Sequence, residues 1–217
     1  MAGNGTPRAL AGIQLLRCSS AEELERAGIF RNHVFRSRRN VSFGEELERR
    51  RDARGTVFLL LSGEQEVATA RVQPFPSEIS PVSDLTARFR DSGADTEVGR
   101  VAAVRSPDTA RYSLLVLTLG AMWLLESTWH RRFVAYCHPK LLPLYQLVGV
   151  EVSGEPCEVP GRADLHHVIV GDYTDVASNG LRLLGLSQAA AHAAIRWVPP
   201  LPGALSPISP TADRTSA

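Results

Sequence analysis

Apolar residues recur along this chain with two different rhythms, and the changes of rhythm mark its elements. Ser20-Ala-Glu-Glu is a capping box, in which the serine hydroxyl caps a helix start and Glu23 reaches back, so a helix is predicted from Ser20 to about Phe35. Within it Arg31, Val34 and Phe35 stand at i, i+3 and i+4 and share one face. Asn40 to Gly44 breaks the pattern, and Glu45 to Arg54 reads as a charged helix or helical turn. Thr56 to Ser62 (TVFLLLS) barely alternates, as a strand buried on both faces does. A turn at Gly63-Glu64 and a strand from Glu66 to Pro74 complete a hairpin.

Pro74 to Pro81 reads as a loop and Asp84 to Arg90 as a short helix. A strand opens at Glu97, an apolar helix runs through Leu114 to Leu125, and a strand covers 132–138. A short helix with Tyr145 follows, ended by Gly149 at the C′ position, then a brief strand to Val152. Val159 to Arg162 is a turn, His166 to Val170 a strand, and Leu186 to Val198 a closing helix capped by Ser187 and stopped by prolines. The order αα-β-β-β-α-β-α-β-β-α places the chain in the α/β (α+β) range. It predicts a central mixed, mostly antiparallel sheet flanked by helices. The strand–helix–strand crossover over 97–138 requires two parallel neighbours. Residues 1–12 read as a flexible tail, 13–198 as one domain, and 199–217 as a disordered Pro/Ser-rich tail.

Composition narrows the choice. The hydrophobic share of 44% supports a sizeable core, and a formal charge of +1 argues against a general nucleic-acid binder. Only Lys140 among the 24 basic residues is lysine. Eight arginines crowd between Arg31 and Arg54, interleaved with Glu45, Glu46, Glu48 and Asp52. They make either an ion-paired helical face or a docking patch for an acidic partner. Cys18, Cys137 and Cys157 show neither paired spacing nor a zinc-ligand pattern, and an odd count without a signal peptide points to a reducing, cytoplasmic setting. The longest apolar run, about 12 residues, is short of the roughly 20 that a membrane span needs.

Candidate chemistry gathers in Glu97–Val152. Gly99 interrupts Glu97-Val-Gly-Arg100, and glycine inside a strand marks a bulge. A bulge would bring the Glu97 carboxylate and the Arg100 guanidinium closer and free a backbone N–H for an oxyanion. A structural ion pair at a strand end is the competing reading. Tyr145 is a candidate general acid for a leaving thiolate. Cys137-His138 ends a parallel strand, where α/β sites gather, although a buried structural cysteine is the more ordinary interpretation. The loop from Arg105 to Ser113 holds no glycine yet leads into a helix N-terminus, a position that favours anions.

In this order the elements resemble the core of the GNAT acyltransferases, although Asp108-Thr-Ala-Arg-Tyr-Ser departs from that family's glycine-rich pyrophosphate loop. A narrower branch is more similar: the N-acyl amino acid synthases and the related acyl-homoserine-lactone synthases. Arg31-Asn-His-Val34-Phe35 resembles their R-x-x-V-F, Asp52 their acidic residue before the first core strand, and Arg71 their second-strand arginine. Glu97-Val-Gly-Arg100 resembles their E-x-x-R, and the likeness covers roughly 25–155. No tryptophan lies between Met1 and Phe58, where the lactone synthases usually carry one, so the amide-forming relatives are favoured.

The resemblance implies a fatty acyl group, of long chain, moved from an acyl-carrier-protein thioester to a primary amine by direct transfer, with no bound cofactor or metal. Acyl-CoA is the alternative donor. Glu97, Tyr145 and Arg100 would be catalytic, and backbone at Val101 and Ala102 would hold the thioester oxygen. Arg71, Arg31 and Asp52 would bind the acceptor, an amino acid or a peptide amine. Trp123, Cys137, His138, Leu142 and Leu144 would line the acyl and pantetheine pocket. The arginines at 31–54, with Arg131 and Arg132, would dock the acidic carrier protein. Competing readings are lipidation of a peptide amine in natural-product biosynthesis, a lactone synthase, and a catalytically inactive module that binds acyl groups or a carrier protein.

Overall fold

The computed structural model describes residues 10–39, 41, 43–74, 94–159 and 164–196. The short helix expected over 84–90, the turn at 160–162 and the tail from 199 onward lie outside these residues.

One eight-stranded sheet organises the chain. Its strands are β1 (Ile13–Arg17), β2 (Thr56–Ser62), β3 (Gln65–Pro74), β4 (Thr96–Ala103), β5 (Arg132–Cys137), β6 (Glu151–Val152), β7 (His167–Asp172) and β8 (Ile195–Arg196). They lie in the order β6-β7-β5-β4-β3-β2-β1-β8. Only β4/β5 and β1/β8 run parallel; the remaining pairs are antiparallel. Helices α1 (Ala21–Arg39) and α2 (Glu45–Arg54) contact β2 and β3. Helix α3 (Thr109–Ser127) packs on β2, β3 and β4 and against α5 (Tyr173–Leu184). The short helices α4 (Leu142–Gln146) and α6 (Gln188–Ala193) complete the α-helices among the described residues.

Local chemistry explains most boundaries. The capping box forms as predicted: Glu23 N donates to Ser20 Oγ, and Ser20 N to a Glu23 carboxylate oxygen, both at 3.1 Å. In β2, Val57 and Leu59 join the core beneath α1, while Phe58 and Leu60 face α3, which is why this strand does not alternate. Gly149 adopts φ 88°, the left-handed turn expected of a residue closing a helix.

Four expectations need correction. β1 and β8 pair with each other at Leu15 opposite Ile195, and neither short strand was expected. The closing helix ends at Ala193 because the next residues join that pair; Ser187 caps it as predicted, accepting from Ala190 N at 3.2 Å. Helix α5 was missed. Leu10, inside the stretch read as a tail, is buried in the main core. Among the described residues no helix is long and apolar enough to cross a membrane.

Candidate active site

The parallel β4/β5 ladder is short. Thr96 faces Phe133 and Glu97 faces Val134, and there the pairing stops, while β4 runs on to Ala103 and β5 to Cys137. On its other side β4 carries the expected bulge: Arg71 pairs with Gly99 but Thr69 with Ala102, so one extra residue sits at Arg100–Val101. The residue in left-handed backbone is Arg100 itself, at φ 55°, and Gly99 before it stays regular. A non-glycine residue there costs about 1–3 kcal/mol and persists only when its surroundings hold it.

Those surroundings are identifiable. Arg100 Nε and Nη2 donate to the two Glu48 carboxylate oxygens at 3.1 and 2.9 Å, and its guanidinium lies 4.1 Å from the centre of the Phe43 ring. Arg71 Nη1 donates to Glu48 Oε2 and Asp52 Oδ1, both at 3.0 Å. Arg31 Nη2 donates to Asp52 Oδ2 and stands 3.7 Å from Glu48 Oε2. Arg31, Glu48, Asp52 and Arg71 are buried. Burial raises the Glu48 carboxyl, but the hydrogen bonds and charge of Arg100, then the charges of Arg71 and Arg31, outweigh it and hold the group at about 2. Burial pushes Arg71 down to about 10 against the pull of Glu48. Arg31, Arg51, Arg71 and Arg100 all stand within ion-pair distance of Glu48, and Arg31 and Arg71 reach Asp52 as well. The sequence placed Arg31, Asp52 and Arg71 at the acceptor and Arg100 in catalysis, but it did not single out Glu48, the common partner of the three arginines. Its spacing from Asp52, four residues along α2, was the available signal.

A cleft of about 260 Å³ opens beside the bulge. Val101, Ala102 and Ala103 of β4 form one wall, Leu141, Leu144 and Tyr145 another, with Val34, Phe35 and Arg38 of α1 and the first turns of α3 around them. Helix α1 therefore serves two sites: Arg31 enters the ion cluster, and one turn later Val34 and Phe35 face the cleft. Glu97 is buried on β4 just before the bulge. Across the opening on β5, burial and then the Glu97 charge push the Tyr136 hydroxyl well above the ordinary tyrosine range. Tyr136 was not anticipated from the sequence.

Other expected pocket residues lie elsewhere. Trp123 is fully buried under the sheet, edge-on to Phe58 at 5.6 Å, and does not reach the cleft. Cys137 is buried and its thiol donates to the His138 carbonyl at 3.3 Å. His138 caps the 3-10 turn Pro139–Leu141. Leu142 packs against the main core and is absent from the cleft wall. The loop entering α3 closes on its own side chains: Ser106 N donates to Thr109 Oγ1 at 2.8 Å and Asp108 N to Ser106 Oγ at 3.1 Å. Many of the 31–54 arginines are paired internally, Arg49 and Arg50 both to Glu46, which supports the ion-paired reading of that stretch.

No family model matches this chain, and no curated protein does. Solved structures do. FeeM, an N-acyl amino acid synthase from uncultured soil microbes, is 16% identical with a TM-score of 0.62, over 81% of this chain and 98% of its own. BjaI, a CoA-dependent acyl-homoserine lactone synthase solved with SAM and isopentyl-CoA, is 19% identical with a TM-score of 0.61, over 88% and 95%. MesI, another CoA-dependent acyl-homoserine lactone synthase, is 20% identical with a TM-score of 0.59, over 82% and 97%. The chain has the GNAT-like fold that these acyl-transferring synthases share.

Proposed function

We propose that this protein is an N-acyltransferase that moves a fatty acyl group from a carrier-protein thioester to a primary amine, with a free amino acid as the acceptor. The carrying observation is the cleft itself. Past the end of its β5 pairing, the β4 backbone at Val101–Ala103 lines the same cleft as Tyr145, and a buried cluster of arginines and carboxylates stands behind the bulge.

The acyl carbonyl lies against the β4 backbone, whose N–H groups stabilise the tetrahedral oxyanion. The amine attacks the carbonyl carbon, a C–N bond forms, and the amine proton passes to Glu97 through water. The C–S bond then breaks, and Tyr145 donates its proton to the departing thiolate. Arg100, which keeps part of its side chain exposed at the bulge, attracts the acceptor's carboxylate. FeeM's description as an N-acyl amino acid synthase supports the amide product. The absence of tryptophan before Phe58 favours it over a lactone. BjaI and MesI are CoA-dependent, so both donor types belong in the test.

The experiment is intact mass spectrometry of carrier protein, loaded with acyl chains of graded length and mixed with this protein and pooled amino acids. Acyl-CoA runs in parallel. Loss of the acyl group with a matching N-acyl amino acid is expected, and Glu97→Gln and Tyr145→Phe should each slow it by roughly 10²-fold. If both donors keep their acyl groups with every amine offered, the proposal fails and a binding module is the better description.

A further inference from the structure

The segment that carries Tyr145 packs on the main core through the half-buried Leu141, Leu142 and Tyr145. The 3-10 turn Pro139–Leu141 and helix α4 contain no fully buried residue, and a five-residue helix is far below the length that is stable alone. Yet Leu141, Leu144 and Tyr145 form one wall of the cleft. The far end is anchored where the Tyr145 carbonyl accepts from Val148 N at 3.0 Å and Val150 N at 3.3 Å. The near end depends on His138.

The His138 carbonyl accepts from Leu141 N at 2.8 Å, and its ring Nδ1 accepts from Lys140 N at 3.1 Å. With Nδ1 an acceptor, the ring proton belongs on Nε2, which stands 3.2 Å from Asp164 Oδ2. The Asp164 carbonyl in turn lies 2.8 Å from Nδ1 of buried His166, whose ring meets His138 edge-on at 5.6 Å. His166 exchanges two backbone hydrogen bonds with Cys157. Both nitrogens of His138 are thus hydrogen-bonded.

We propose that His138, oriented by Asp164, is a positioning residue that sets where Tyr145 stands in the cleft. The inference rests on the acyl transfer proposed above. Misplacing a reacting group by about 1 Å can cost about 10²-fold in rate, and the ring of this histidine caps the turn that leads directly into the tyrosine helix.

The test uses the full chain as wild type, His138→Ala, His138→Asn, Tyr145→Phe, and the double variant His138→Ala/Tyr145→Phe. Asparagine offers a carboxamide oxygen to the same N–H. His138→Ala should lower kcat about tenfold and leave KM within about twofold. His138→Asn should recover most of the rate. In the Tyr145→Phe background His138→Ala should cost little more, since both act through one group. Amide exchange over 139–149 should quicken in His138→Ala, return in His138→Asn, and stay unchanged over 96–103. Unchanged exchange over 139–149, or a full additional tenfold loss in the double variant, overturns the proposal. A rate untouched by Tyr145→Phe would refute the acid role of Tyr145; the exchange measurement then decides the cap on its own.

Discussion

Glu48 is the sharpest place to test the energetics. Glu48→Gln keeps the shape of the side chain and removes the charge that Arg31, Arg71 and Arg100 face. The carboxyl falls from an ordinary 4.5 to about 2 on folding. At 1.36 kcal/mol per pKa unit, that difference contributes about 3 kcal/mol at neutral pH. The folded value is depressed, so the contribution is fully present above pH 4.5 and is lost as pH falls towards 2. Near pH 3 about 1 kcal/mol should survive. The assay is urea unfolding of wild type and Glu48→Gln at several pH values from 7 down to 3, with slopes checked for equality. The stability gap should shrink from about 3 to about 1 kcal/mol. A gap that does not change with pH would mean that Glu48 acts by packing alone, and a gap near zero at pH 7 would refute the charge argument altogether.

Three further outcomes follow from the packing. A Cβ at Gly180 would sit 2.0 Å from Thr118 Oγ1, at the α3/α5 contact, so Gly180→Ala should cost roughly 1–3 kcal/mol and lower Tm in calorimetry. Ser20→Ala removes the hydroxyl that accepts from Glu23 N, and should cost about 1 kcal/mol in the same scan. Cys18 is buried, and burial, then the Glu23 and Asp52 charges, push its thiol up to about 12, while Cys137 is buried as well. A maleimide reagent at pH 8 should therefore label Cys157 first in the native protein, as peptide mapping will show.

The sequence revealed what local chemistry dictates. The capping box, the non-alternating β2, the apolar α3 and the bulge beside Gly99 each carry their cause within a few residues. What it hid depends on partners far along the chain. Two residues become β8 only because β1 lies beside them. Helix α5 buries Tyr173, Val176, Ala177 and Gly180 at helical spacing, a legible stripe that its polar residues obscured. Trp123 and Leu144 both suited a pocket by type, but the phase of α3 turns the first into the core while α4 presents the second to the cleft. Glu48 read as one charge among many in an arginine-rich helix. Only the placement of α2 over β2 and β3, within reach of Arg100 from β4, makes it the acceptor that four arginines address.

The parallel pair at the sheet's edge has a kinetic consequence. Leu15 can meet Ile195 only after nearly all of the intervening chain is in place, since closing so long a loop costs entropy that a two-residue ladder scarcely repays. The β1/β8 seam should form last in folding and open first in the native state. Leu186, Ala191 and Ala194, which enter the core through the segment leading to that seam, would then be the first buried groups to meet water. Slow steps and early proteolytic nicks should concentrate there, far from the cleft.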